Sequence, residues 1–430
     1  MKRIVGIVAL AATTASLAMA DVSTSISFRR GTNVFSNANT SKDSVTFGKF
    51  GDITGTDAFT FKASNDYAGI TLNYNPTSAP SGDKNPAKKF WEGGNGVEYT
   101  AYVNPTDWLQ FKLGVHKDGI PYAEQAKKDG DDTNWAAAGR YAFLYKLGLT
   151  AKASTGIFMD DMTSINGAGA PFFFADFKFN DVGPGDLLVR ASLAGTYDSS
   201  NAALYNWLKS GGFNDKTMNV APGLVVGYKI KDLMNVNLDV QMASNNDLAF
   251  GIYASPLGLL DGNLTGTLGF TMSTVLDGEK DAVGARVNNK DGVTFFGIDL
   301  RLRYVAGDFH ITNAFNFTGA SEDGQVTQNA VTTNLGNIKG RTGDSNIWDS
   351  IFLTYKFNDS WTITGNIQLQ ASLGDDTILD LGVTPGIMYT VGKGAAITAG
   401  VHMGFLDLSD KTPDGRVIGV ALPVIFRVKL

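Results

Sequence analysis

Apolar and polar side chains alternate along most of this chain. From Trp361 one set reads Trp361, Ile363, Gly365, Ile367, Leu369, and the interleaved set reads Thr362, Thr364, Asn366, Gln368, Gln370. From Asn235, the polar residues Asn235, Asn237, Asp239 and Gln241 interleave with Val236, Leu238, Val240 and Met242. Leu109, Phe111, Leu113 and Val115 likewise interleave with Gln110, Lys112, Gly114 and His116. Successive side chains of a strand point to opposite faces, so a period of two predicts strands with one apolar and one polar face. Many runs last about 9–13 residues. Soluble strands average about 5–6, whereas a tilted strand needs about 9–11 to cross a bilayer.

The connections alternate too. Short turns rich in Gly, Asn, Asp and Pro fall at Asn65-Asp66, Asn104-Pro105-Thr106, Gly148, 180–185, 231–234, Ala306-Gly307, Asn358-Asp359 and Gly392-Lys393-Gly394, with a longer one over 254–262. These are turn-forming residue types. Between them lie mostly longer polar loops, over 75–95, 117–137, 196–218, 274–292 and 319–346, although 244–247 is short. Short turns at one end and long loops at the other predict an all-β fold, a transmembrane antiparallel up-and-down β-barrel. The turns, an opening strand over 22–30 and a closing strand over 417–430 give an even count of about 18–20 strands. The stretch 45–50 reads either as a separate strand or as part of a bent one. Strand pattern begins right after residue 20, which leaves no plug domain. Continuous apolar strands with helical crossovers are missing, which argues against an α/β fold.

A triplet of aromatic, Lys and apolar residue recurs just before the short turns: Tyr145-Lys146-Leu147, Phe177-Lys178-Phe179, Tyr228-Lys229-Ile230 and Tyr355-Lys356-Phe357. Phe61-Lys62-Ala63 is a looser copy and Phe426-Arg427-Val428 closes the chain. On a pleated strand the outer two face lipid and the Lys faces the lumen, so the rings build an interfacial girdle. Trp108 and Trp361 lie at a similar height, with Trp108 falling on the polar face.

Composition narrows the class. The chain has 430 residues, no Cys, three His (His116, His310, His402) and a net charge of −6. Zero Cys excludes disulfides, Cys-ligated zinc and a Cys nucleophile. Net acidity argues against nucleic-acid binding. Lys2 and Arg3, an apolar run from Ile4 to Leu17, and Ala18-Met19-Ala20 before Asp21 read as a cleaved secretory leader over 1–20. Residues 21–430 are then one barrel domain. After residue 20 no apolar stretch approaches the ~20 residues of a spanning helix.

These features together resemble bacterial outer-membrane porins of the general diffusion type. The features are the leader, the alternation throughout, and a closing strand with Ile418, Val420, Leu422, Val424, Phe426, Val428 and Leu430 on one face. The likeness covers the whole mature chain and is architectural. Porins of this type often end in Phe, whereas this chain ends in Leu430; it also looks somewhat like spirochaetal barrels. The resemblance implies an outer-membrane location, lipid around the barrel, passage of small hydrophilic solutes or ions, and an inward-folded loop, for which 75–95 and 117–137 are candidates. It also makes a homotrimer a candidate assembly.

The pleat assigns Arg29, Lys62, Lys112, Arg140, Lys146, Lys152, Lys178, Arg190, Lys229, Arg301, Arg303, Lys356, Arg427 and Lys429 to the inner wall. Glu98, Asp176, Asp239, Asp299 and Asp380 are its acids. A basic wall concentrates anions, so an anion preference is expected. Lys112, Lys152, Arg190, Asp239, Asp299, Arg301 and Arg303 are the pore-lining candidates. Arg301 and Arg303 share a face with Asp299, so ion pairing inside the wall is an alternative role. A lysine near a turn could instead pair with Asp181, Asp232 or Asp359.

Other constellations read as structural. Asp129, Asp131 and Thr133 resemble the start of a calcium loop but lack the later bidentate Glu. Asp131-Asp132, Asp160-Asp161 and Asp375-Asp376 read as solvated loop acids. No nucleophile spacing accompanies His116, His310 or His402, which read as ordinary wall residues. No P-loop is present. Pro222, Pro385 and Pro423 interrupt apparent strands and count against a simple register. No metal, cofactor or enzymatic activity is expected. The competing functions are a carrier for hydrophobic solutes, with Phe296 or Phe352 turned inward, and a surface adhesin built on a closed barrel.

Overall fold

The computed structural model describes residues 21–36, 58–74, 97–114, 172–195, 220–242, 248–274, 294–321, 345–392, 394–411 and 416–430. Short pieces at 53–54, 197–198, 201–202, 326–328, 331–333, 336–338 and 341–343 are described as well. The leader and the predicted hairpin about Gly148 lie outside the described residues.

Eighteen antiparallel strands close into one barrel. In chain order they are β1 (Asp21–Ser36), β2 (Ala58–Ser64), β3 (Ala68–Tyr74), β4 (Val97–Thr106), β5 (Leu109–Gly114) and β6 (Phe172–Val182). Then follow β7 (Gly185–Gly195), β8 (Val220–Ile230), β9 (Met234–Met242), β10 (Leu248–Pro256), β11 (Leu264–Thr274) and β12 (Thr294–Ala306). The last are β13 (Phe309–Ala320), β14 (Ser345–Lys356), β15 (Trp361–Leu373), β16 (Ile378–Gly392), β17 (Ala395–Gly400 continued by His402–Leu406) and β18 (Val417–Lys429). Each pairs with its chain neighbour. The seam closes where β1 pairs with β18, from Ser27 opposite Lys429 to Ser36 opposite Ala421. Ile26 and Leu430 exchange backbone hydrogen bonds of 2.8 and 2.9 Å there.

The strand count sits at the lower end of the expected range. Among the described residues, β5 pairs directly with β6, from Leu109 opposite Phe177 to Gly114 opposite Phe172. The 319–346 loop carries two short antiparallel pairs, Val326–Gln328 with Arg341–Gly343 and Val331–Thr333 with Gly336–Ile338. A two-residue piece, Ile53–Thr54, also pairs with β1.

The alternation sorts the two faces. Along β15, Trp361 and Ile363 are exposed on the outside, while Thr362, Thr364, Asn366, Gln368, Gln370 and Ser372 are buried on the inside. The triplets follow the same rule. Phe179, Tyr355, Phe357 and Phe426 are exposed outward, with the intervening cations on the inner register. Trp361 and Tyr389 lie 4.7 Å apart between ring centroids in the girdle. Trp108 departs from simple alternation. A register shift between Val103 and Thr106 precedes it, and its ring stacks on outward Phe177 at 6.4 Å. A bulge of this kind re-aims the side chains beyond it.

The three prolines are accommodated in different ways. Pro385 lies beside the break in β17, where the Val401 N–H donates to its carbonyl at 3.0 Å. Pro423 faces Asn33 next to a register shift. Pro222 stays in regular register opposite Leu193.

Local turn chemistry fixes the hairpins. Asn358 Oδ1 accepts from the Ser360 and Trp361 N–H groups, both at 2.9 Å. Asn65 Oδ1 does the same for Tyr67 and Ala68. At Gly185 an added Cβ would run into the Lys229 backbone carbonyl, so only glycine lets β7 and β8 meet there. Asn358→Ala removes the acceptor of two turn N–H groups. It is expected to lower stability by about 1 kcal/mol, measured as reversible urea unfolding from lipid vesicles.

Candidate functional site: the inner wall of the barrel

The inner wall is built from alternate residues of every strand, and register partners continue one another around it. The run Asp176, Arg190, Val225, Asp239 crosses β6 to β9 in successive pairings. Arg190 Nε lies 2.6 Å from Asp176 Oδ1 and its NH2 lies 2.8 Å from Oδ2, a two-pronged ion pair. Both side chains are nearly inaccessible, at 4 and 3% exposure. The guanidinium carbon also stands 4.4 Å from the Phe174 ring centroid. A guanidinium so held is already matched to its carboxylate.

Beyond Val225 the inner face of β9 is polar and sealed. Asn235, Asn237 and Asp239 are buried. Both Asp239 carboxylate oxygens, both Asn237 amide atoms and Asn235 Oδ1 find no hydrogen-bond partner among the described residues. On β10, Tyr253 projects inward opposite Asn237 with its hydroxyl over Gly251. Ser255 and Thr267 hydroxyls meet at 2.7 Å. On the far side, Asp380 accepts from the Asp407 N–H at 2.8 Å. His402 Nδ1 lies 2.7 Å from Thr384 Oγ1. No group of three or more His, Cys, Asp or Glu gathers among the described residues; the 129–133 run lies outside them.

The accessible inner wall is elsewhere. Thr60, Thr71, Thr100, Tyr102, Gln110 and Lys112 on β2 to β5 are part-exposed, and Lys62 is exposed. Near the short turns Lys178, Lys229 and Arg427 are part-exposed and Lys356 is exposed. Asp186 faces Lys229 at this level and is part-exposed too. The acids of the deeper wall, Asp176, Asp239 and Asp380, are buried.

The pore-lining candidates therefore divide. Lys112 stands on the inner face between Tyr102 and Phe174. Arg190 and Asp239 are inward and buried, Arg190 by pairing with Asp176. Arg303 is inward and buried, opposite Thr265 and Thr312. Asp299 and Arg301 hold inner register positions on the same strand. Lys152 lies outside the described residues. Two turn pairs answer the alternative role for lysines. Lys356 Nζ lies 2.9 Å from Asp359 Oδ1 and Lys231 Nζ lies 2.5 Å from Asp181 Oδ1. The hydrogen bond and charge of Asp181 hold the Lys231 ammonium above its ordinary range. Phe352 is turned inward and buried, whereas Phe296 faces outward and packs against Phe317. The inward aromatics Phe174 and Tyr253 escape sequence reading, because a bulky ring in a polar series is read as outward.

An apolar exterior around a closed, polar-walled 18-strand barrel defines a bacterial outer-membrane β-barrel with the fold of a porin. No protein-family model and no curated protein matches the chain by sequence. Among solved structures it is similar to an anion-selective porin from Comamonas acidovorans. That match has 11% identity and a TM-score of 0.50 and covers 96% of this chain and all (100%) of that one. Two others align with lower TM-scores. Pseudomonas aeruginosa OccK8 (OprE) has 10% identity, coverage of 95 and 98%, and a TM-score of 0.47. The trimer form of Vibrio cholerae OmpT, an outer membrane protein, has 12% identity, coverage of 96 and 99%, and a TM-score of 0.43. At these identities the likeness is one of fold.

The buried ion pair makes a clear expectation. Asp176→Leu strands the Arg190 charge and is expected to cost about 3–5 kcal/mol, whereas Asp176→Leu with Arg190→Met is expected to recover most of that loss. Urea unfolding of the three proteins from vesicles measures both.

Proposed function

We propose that this barrel is an outer-membrane channel for passive diffusion of small hydrophilic solutes, with a preference for anions. The observation that carries the reading is the division of charge on the inner wall. The acids Asp176, Asp239 and Asp380 are buried, and one of them is consumed by Arg190. The cations Lys62, Lys112, Lys178, Lys229 and Arg427 keep contact with solvent, with Asp186 as an accessible acid among them. A solute moving along β2 to β5 meets Lys62 and Lys112 against Glu98, which holds an inner register position on β4, and the short-turn mouth adds further cations, so positive charge prevails, attracting anions and repelling cations. Passage is passive and no side chain takes a reacting role. The leader over 1–20 would deliver the chain to the envelope. The inward Phe352, Met388 and Ile425 leave a carrier for hydrophobic solutes as the second reading, since they put apolar surface on the inner wall.

Current through the refolded protein in a planar bilayer under a salt gradient tests this. Stepwise conductance with a reversal potential on the anion side is expected. Lys112→Glu and Lys229→Glu should each move that potential towards cations. A change of two charges about 10 Å from an ion in water is worth about 0.8 kcal/mol, roughly fourfold against an anion and fourfold in favour of a cation, or about sixteenfold in their permeability ratio. Cation preference in the unaltered protein would overturn the anion assignment. Folded protein without steps would favour the hydrophobic-solute carrier or a closed adhesin.

A further inference from the structure

The turn between β10 and β11 runs from Leu257 to Asn263 and carries Leu259 and Leu260 at its tip. Leu260 is 62% exposed and holds a left-handed backbone at φ 50, followed by Asp261 at φ 56. A leucine adopts that conformation at a cost that Gly or Asn largely avoids. A bulky apolar side chain kept there, and exposed, points to a role outside the barrel.

Leu259 bridges Leu264 across the turn. Residues directly opposite in an antiparallel pair share a face. Leu264 opens the outward series that continues through Gly266, Leu268 and Phe270, so Leu259 carries the lipid-facing surface into the turn. The Leu257 N–H donates to the Leu233 carbonyl at 2.9 Å, which sets the β8–β9 turn alongside. Leu233 is 58% exposed there. Two outward tyrosines mark the interfacial level on this flank, Tyr304 opposite Leu264 and Tyr228 opposite Val236. Leu233 and Leu260 lie beyond that level, where a barrel ordinarily shows polar residues to water. The β12–β13 and β14–β15 turns do so, with Gly307-Asp308 and Asn358-Asp359 at their tips. Lys231, Asp232 and Asp261 are exposed beside the leucines. An apolar tip flanked by charges suits the boundary between headgroups and acyl chains.

We propose that the β8–β9 and β10–β11 turns form a lipid-binding foot, with Leu233 and Leu260 inserted at the acyl boundary of the nearer leaflet. The membrane edge then lies farther out on this flank than at the β12–β13 and β14–β15 turns. Continuity with the outward face through Leu259 and Leu264 selects lipid over a protein partner. The foot rests on the membrane-barrel fold and not on conduction, so a silent barrel would leave it standing.

The chain has no Cys, so single thiols report depth cleanly. Full-length protein carrying Leu260→Cys is labelled with an environment-sensitive fluorophore and refolded into phosphatidylcholine vesicles at a high lipid-to-protein ratio. Leu268→Cys serves as the lipid-facing reference and Asp359→Cys as the aqueous one. The Leu260→Cys probe is expected to emit at shorter wavelength than Asp359→Cys. Spin-labelled lipid should quench it nearly as strongly as Leu268→Cys, and aqueous iodide should quench it weakly. Adding Leu260→Asn, which suits the left-handed backbone, should move a probe at Leu233→Cys towards iodide. Circular dichroism establishes that each variant has folded, and Leu233→Cys alone gives the same reading should Leu260→Cys fail to fold. Quenching by iodide to the extent seen at Asp359→Cys would overturn the proposal. So would shielding from both quenchers, the mark of a protein cover, or a Leu233 probe indifferent to Leu260→Asn.

Discussion

Closure of the hydrogen-bond ladder is the constraint on which the rest of this molecule depends. Hydrocarbon offers no partner for a backbone N–H or C=O, so a spanning sheet must satisfy every group internally and cannot keep an edge. The chain meets this by joining its two ends, β1 to β18, down to the exchanged bonds of Ile26 and Leu430. Once the ring is closed, the pleat leaves two faces and the sequence has to serve both. The outer face is solved with Ile, Leu, Val and Phe against lipid. The inner face must bury or hydrate everything polar that remains.

On the inner face two solutions coexist. From β6 to β9 the wall is sealed, and its charges are handled locally. Arg190 is held by Asp176 and capped by Phe174, while Asp239 stays inaccessible two strands away. On β2 to β5 and around the short turns, the wall stays open to solvent and its cations remain hydrated. In the channel reading proposed above, this separation sets the sign of the field that a solute meets. A buried matched pair such as Asp176 with Arg190 contributes little beyond its own neighbourhood, whereas a charge in contact with solvent at an opening acts on what enters it.

Much of this was legible in the residues alone. The strand faces of β5, β9 and β15 follow from their period, as does the inner placement of Lys112, Asp239 and Arg303. What period cannot supply is the partner. Asp176 and Arg190 are fourteen positions apart, and only the tight Asp181-to-Gly185 hairpin sets them side by side. Arg190 therefore reads as a free pore cation in the sequence and is a paired one in the fold. Trp108 shows the same limit from the other side. One irregularity near Pro105 resets the alternation, and the ring joins the girdle instead of the lumen. Period also cannot tell a sealed wall from an open one, since both are polar every second residue.

The exterior follows from closure as well. A sheet with no edge cannot recruit a neighbour through backbone pairing, the route by which open sheets associate. Contact between two such barrels has to be made by outward side chains. In a bilayer apolar side chains gain little by meeting one another instead of lipid, so packing and polar groups carry specificity. Asp349 reads in the sequence as an unremarked acid in the run Ile347-Trp348-Asp349-Ser350-Ile351. The pairing with Phe315 and Leu369 turns it outward, where it becomes an acid in an apolar belt. The same parity that turns Arg190 towards the lumen brings Asp349 to the outer surface.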